Sequence, residues 1–204
     1  MTKLLPGILA MAAIVVASNI LVQFLFGSWL TWGAFTYPFA FLVTDLMNRL
    51  HGAQKARQVV WAGFAVGVIC SLIGSQIHGE FGPLVTLRIA LGSGLAFLTA
   101  QLLDVAIFDR LRSRAWWQAP LASTLIGASL DTALFFFIAF SASLSWIEPA
   151  NDTSWATEIL PILGAGPLAP LWVSLAVADW GVKLSLALIA LLPYRLFLQR
   201  WRTA

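Results

Sequence analysis

Six ionisable side chains sit inside apolar runs of this chain: Asp45, Arg88, Asp104, Asp131, Asp179 and Lys183. An ion at membrane depth costs at least about 2.5 kcal/mol, so such residues face a bundle interior or an aqueous cavity. Their spacing sorts them. Asp179 and Lys183 stand four apart with the acid first, the favourable order for an ion pair along one helix. They either neutralise each other or turn a charged face to a polar solute. Asp45 and Asn48 are three apart, hence on one helix face. Carboxylates accept hydrogen bonds, whereas the amides of Asn48 and Gln101 both donate and accept. Together these groups can bind a small polar solute.

A flat heterocycle with a guanine-like edge suits that inventory, because adjacent ring N–H and NH₂ groups match a carboxylate bidentately. Trp180, Phe135 and Phe41 could stack on its face. Arg88 is open to two readings, snorkelling or a structural ion pair on one side and substrate contact on the other. Asp131 lies within "STLIGASLDTALFFF", whose small and hydroxylated residues suit close helix packing as well as a pocket.

Other chemistries find little support. His51 and His78 fall in opposite loops, the single Cys70 lies in an apolar run, and no H-E-x-x-H, G-x-S-x-G or G-x-x-x-x-G-K-[ST] pattern occurs. No catalytic residue, metal ligand or cofactor is expected. A membrane-embedded aspartyl enzyme stays open, and it would need two of these aspartates to face each other.

The elements that must position these groups are membrane helices. The 204 residues are 60% hydrophobic and 10% charged, with a mean hydropathy of +0.86, against about 25% charged residues in soluble domains. The expected fold is all-α, a polytopic membrane protein forming one transmembrane domain over 1–204. Six transmembrane helices are expected at about 5–26, 29–47, 58–77, 84–108, 119–142 and 168–192. Gly33 and Pro38 interrupt the second, which could be shorter or partly re-entrant. The first run is read as a span, since about 22 residues exceed a signal-peptide core.

Counting six spans puts Lys3, Arg49, Lys55, Arg57, Arg110, Arg112, Arg114, Arg195, Arg200 and Arg202 on one side. Glu80, Glu148, Asp152 and Glu158 fall on the other. The positive-inside rule then makes both termini cytoplasmic, and this distribution removes the nucleic-acid reading that a basic pI would otherwise invite. Nine of the ten tryptophans, Trp201 among them, fall near span ends, as interfacial indoles do; Trp180 at mid-span is the exception. The outer connection 143–167 is expected first as a solvated linker and second as a cover over the outer mouth. "AFLVTDLMN" (40–48) echoes "AFLTAQLLD" (96–104), aligning Asp45 with Gln101 and Asn48 with Asp104.

"TYPFAFLVTDLMNRLHG", "RIALGSGLAFLTAQLLDVAIFDRLR" and "APLASTLIGASLDTALFFFIAF", followed by "KLSLALIALLPYRL", resemble the queuosine precursor transporter family, also grouped as vitamin uptake transporters, over roughly residues 30–200. The resemblance implies an inner-membrane importer of 7-deazaguanines, such as 7-cyano- or 7-aminomethyl-7-deazaguanine, used to make queuosine in tRNA. It marks Thr36, Pro38, Asp45, Asn48, Arg88, Gln101, Asp104, Ser123, Asp131 and Lys183 as the family's polar positions. One departure stands out. The family pattern has an acidic residue after the asparagine and an aromatic two positions later, where this chain has Arg49 and His51. A substrate-capturing subunit that needs a separate energising partner is the alternative, as in energy-coupling-factor transporters. The expected partners are the solute and the lipid bilayer, with no nucleic acid; the small residues at 92–94 and in the fifth span leave a homodimer open.

Overall fold

A computed structural model of the chain describes residues 4–80 and 82–203, with side chains as far as residue 200. Lys3, Trp201 and Arg202 therefore lie outside the described side chains. Helix ends follow local chemistry. Helix α1, Leu5–Leu21, opens with proline in its first turn, where a missing N–H removes no helical bond. A short hairpin follows, β1 (Leu25–Phe26) paired with β2 (Leu30–Thr31).

The second apolar run is not one helix. It begins in that hairpin, forms one turn as α2 (Gly33–Thr36), breaks at Tyr37 and Pro38, and continues as α3 (Phe39–His51). Pro38 supplies no N–H, so the ladder cannot pass through it intact. Gly52, with φ +85°, then turns the chain sharply into α4, Ala53–Gln76. After the β3 (His78–Gly79) and β4 (Gly82–Pro83) hairpin, α5 spans Leu87–Leu111 and is capped by Thr86, whose hydroxyl accepts from the Ile89 N–H. Helix α6 is Gln118–Phe140.

The stretch after α6 overturns the linker expectation. It folds into a 3₁₀ segment Ala142–Ile147, the turn α7 (Ser154–Thr157) and a hairpin of β5 (Ile159–Pro161) with β6 (Leu168–Pro170). The Glu148 carboxylate accepts from the Leu87 and Arg88 N–H groups at the start of α5, a favourable place for an anion. Helix α8, Leu171–Thr203, runs beyond the expected end at 192 and carries Pro193 inside it.

Among the described residues four helices are long and apolar enough to cross a membrane: α4, α5, α6 and α8. Helix α1 is apolar but shorter. The protein is thus mostly helical, with four membrane-length helices and the shorter α1 and α2–α3. Leu72 and Ile73 on α4 and Leu188, Ile189 and Leu192 on α8 are exposed, as surfaces facing lipid tails would be.

Inside, α1, α3, α4 and α5 close on Met11, Val15, Ala40, Met47, Val59, Val60, Phe97 and Val105. Helices α5 and α6 approach closely because their glycines allow it. A Cβ at Gly92 would stand 3.2 Å from the Phe135 carbonyl oxygen, and one at Gly127 would stand 3.3 Å from the Ala100 carbonyl oxygen. These small residues are used in packing within the chain. Helices α3 and α5 run parallel, since Thr44 bonds to Gln101 and Asn48 to Val105 at one constant offset. The two echoing segments therefore lie side by side.

Candidate functional site

The polar residues gather in two clusters. The first lies where α3, α5 and α6 meet and holds Asp45, Asn48, Gln101 and Asp104, all buried. Asp45 Oδ1 accepts from the Ser123 hydroxyl at 3.2 Å and Oδ2 from the Thr124 hydroxyl at 3.2 Å. The Asp104 carboxyl lies against that of Asp45, yet neither of its oxygens has a donor in bonding geometry. Asn48 Nδ2 donates to the Val105 carbonyl at 3.0 Å, and its Oδ1 is unpaired. The Thr44 hydroxyl lies 2.6 Å from Gln101 Oε1, leaving Gln101 Nε2 unpaired. Buried polar atoms are almost always paired. Four unpaired atoms on three neighbouring residues set this cluster apart among the described residues.

Beside this cluster is a narrow crevice between α3, α6 and α8, with a volume of about 20 Å³. Phe41, Pro38 and Leu42 form one wall, Ala187, Ala190 and Leu191 another, and Asp45, Thr124 and Tyr194 supply its polar atoms. A flat solute would enter only where these helices part, and would then meet apolar walls and one carboxylate.

The second cluster joins α6 to α8. Lys183 Nζ is 2.7 Å from Asp131 Oδ2, 2.6 Å from Asp179 Oδ2 and 3.0 Å from the Thr132 hydroxyl. Thr132 donates to Asp179 at 2.8 Å, and the Tyr37 hydroxyl donates to Asp131 Oδ1 at 3.1 Å. Lys183 also sits 5.4 Å over the Tyr37 ring. Two acids on one ammonium form a closed set in which every charge is bonded. Tyr37 was missed from the sequence. Its signal was a hydroxyl-bearing aromatic directly before Pro38, at the break that turns its ring inward.

Other expected site residues go elsewhere. Arg88 neither snorkels nor reaches the cleft: fully buried, it donates from Nε to the Ile138 carbonyl at 3.0 Å, from Nη2 to the Ser141 carbonyl at 2.6 Å and from Nη1 to the Thr153 hydroxyl at 3.3 Å. It fastens α5 to the end of α6 and to the folded outer loop. Thr36 bonds Ser18 at 3.0 Å and its own helix at the Gly33 carbonyl, holding α2 on α1. Trp180 is 41% exposed and donates to Ser129 at 2.9 Å, so its indole faces out of the bundle and not into the cleft. Of the other two stacking candidates, Phe41 lines the cleft and Phe135 does not.

The departing position Arg49 is engaged at the inner rim. Its Nε donates to the Tyr194 hydroxyl at 2.9 Å and its Nη1 to the Arg112 carbonyl at 2.7 Å, while Arg112 returns a bond to the Arg49 carbonyl at 2.8 Å. The guanidinium lies 5.0 Å over the Phe108 ring. Arg49 thus ties α3 to α5 and α8 beside the cleft.

A lipid-facing exterior around helices that bury carboxyls and amides defines a multi-pass membrane protein of the solute-carrying kind. The chain belongs to the family described as "Putative vitamin uptake transporter", whose model matches residues 31–197. It is 37% identical over 194 residues to the queuosine precursor transporter of Escherichia coli (strain K12), covering 88% of this chain and 79% of that one. It is 38% identical over 137 residues to a probable queuosine precursor transporter of Haemophilus influenzae, covering 62% of this chain and 57% of that one. A probable queuosine precursor transporter of Bacillus subtilis is 29% identical over 190 residues, covering 83% and 72%. No solved structure matches the chain.

Proposed function

We propose that this protein imports queuosine precursors, 7-deazaguanine compounds, across the bacterial inner membrane. Six crossings with both termini in the cytoplasm complete the reading, with α1 and the broken α2–α3 as the first two. The names of the relatives support the cargo. The observation that carries the mechanism is the set of unpaired buried atoms on Asn48, Gln101 and Asp104 beside the cleft that Asp45 lines. An N–H-rich heterocycle supplies donors for the Asn48 and Asp104 oxygens, and Phe41 offers a ring face for its plane.

In this mechanism the solute enters between α3, α6 and α8 and exchanges its water for Asp45 and its neighbours. The Tyr37–Asp131–Lys183–Asp179 cluster holds the broken α2–α3 segment against α6 and α8 while it does so. The Pro38 break provides the point about which α3 can shift, because a proline-interrupted ladder resists bending least.

The facing carboxyls of Asp45 and Asp104 also meet the geometric requirement of an aspartyl enzyme. Family membership favours transport, and the proposal is that the solute leaves chemically unchanged. The test is uptake by bacteria that lack their own precursor importer and the pathway to make the precursor, with queuosine in tRNA as the readout. The reading predicts that expressing this chain restores queuosine and that the recovered intracellular solute is unmodified by the carrier. Absence of restoration despite membrane expression would refute it, and a hydrolysed product formed by the purified chain would favour the enzyme.

A further inference from the structure

The unpaired atoms of the first cluster have a common chemistry. Asn48 is fixed by its bond to the Val105 carbonyl, so the atom left over is the acceptor Oδ1. Asp104 leaves two more acceptors. At Gln101 the Thr44 hydroxyl has one proton for two oxygens, the Ala40 carbonyl at 3.0 Å and Gln101 Oε1 at 2.6 Å. Turning the amide resolves this: the Gln101 NH₂ donates to Thr44, Thr44 donates to Ala40, and Oε1 becomes the free atom. All four open positions are then oxygens.

No cation answers them. Among the described residues no lysine or arginine forms an ion pair with Asp45 or Asp104. Lys183 is held by Asp131 and Asp179. Arg49, one helical turn from Asp45, directs Nε and Nη1 to Tyr194 and the Arg112 carbonyl, and only its Nη2 lacks a partner. Among the described residues Asp45 is the one carboxylate in the cleft wall, and the Asp104 carboxyl lies against it.

We propose that this acceptor-rich site selects its solute by N–H donors, and that among 7-deazaguanines it prefers one carrying a protonated amine substituent over one carrying a nitrile. The proposal rests on the transport reading above. A primary ammonium brings three donors and a positive charge to the paired carboxyls. A nitrile brings one more acceptor and gains nothing from them.

The experiment is equilibrium binding to the purified full chain, using matched aminomethyl-, cyano- and methyl-7-deazaguanines. The amine is expected to bind about tenfold or more tighter than either of the others, the scale of a charge-assisted hydrogen bond. The ratio of amine to cyano affinity should fall towards one in Asp104→Asn and in Asp45→Asn, whatever either substitution does to binding of the ring that the compounds share. Equal or tighter binding of the cyano compound to the unaltered protein overturns the proposal while leaving the transport reading intact. So does an amine preference that survives both substitutions. Binding of none of the three removes the transport reading itself, and this inference with it. The comparison on the unaltered protein decides the preference even where a variant fails to fold.

Discussion

Replacing Arg88 with alanine should make the protein markedly easier to unfold while leaving each folded molecule's affinity for its solute unchanged. The guanidinium is fully buried and donates to two carbonyls, of Ile138 and Ser141, and to the Thr153 hydroxyl. Its removal strands the Ile138 carbonyl, at about 1–3 kcal/mol, takes a charge-assisted bond from the Ser141 carbonyl, which keeps the Leu144 N–H, and opens a cavity between α5 and α6. Relief of the buried charge offsets part of that loss, so the net cost is about 3–5 kcal/mol. For a chain of this length, at about 2–4 °C per kcal/mol, Tm should fall by about 6–20 °C. Arg88→Lys keeps the charge but not the fork that reaches both carbonyls, and should recover only part of the loss. Thermal unfolding in detergent gives the first quantity, and solute binding per folded molecule the second. An unchanged Tm with lost binding would refute the assignment of Arg88 to structure and return it to the solute path.

Lys183→Met should destabilise by about 3–5 kcal/mol, because Asp131 and Asp179 are then buried without their cation. Adding Asp131→Asn should restore part of that in a double-mutant cycle by thermal unfolding; strict additivity would mean the two do not interact. Tyr37→Phe removes one hydrogen bond to Asp131 and should cost about 1 kcal/mol with the fold retained; a Tm equal to that of the unaltered protein would remove Tyr37 from the cluster. Gly127→Val places a Cβ against Phe41 and the Ala100 carbonyl, at 2.9 and 3.3 Å. It should cost about 1–3 kcal/mol and weaken solute binding by displacing the cleft wall, and binding at full strength would show that Phe41 does not line the solute's place.

Much of this arrangement was legible in the sequence because membrane depth makes charge conspicuous. Asp45 and Asn48 share a helix face, and the 40–48 and 96–104 echo brings Gln101 and Asp104 to the same interface, as the parallel packing of α3 and α5 shows. The Asp179–Lys183 spacing likewise foretold an ion pair. Asp131 joining it was not readable, since α6 and α8 meet only through tertiary packing. Arg88 misled for a related reason: its depth near the outer end permits snorkelling, and only the folding of 143–167 over it supplies Thr153 and seals it from water. That segment resembled a linker because its glycines and prolines mark turns without saying what the turns pack against. Trp180 stood out by depth alone, which does not tell the bundle face from the lipid face of a helix apolar all round.

The most direct test of the transport account is uptake of a labelled 7-deazaguanine into liposomes containing only this purified chain, compared with its Asp45→Asn form. The account predicts accumulation or equilibration with the unaltered protein and none with Asp45→Asn, both proteins being equally incorporated and folded. Uptake unaffected by Asp45→Asn would remove the α3–α5–α6 cluster from the solute path, and no uptake by the unaltered chain would contradict transport by this protein alone.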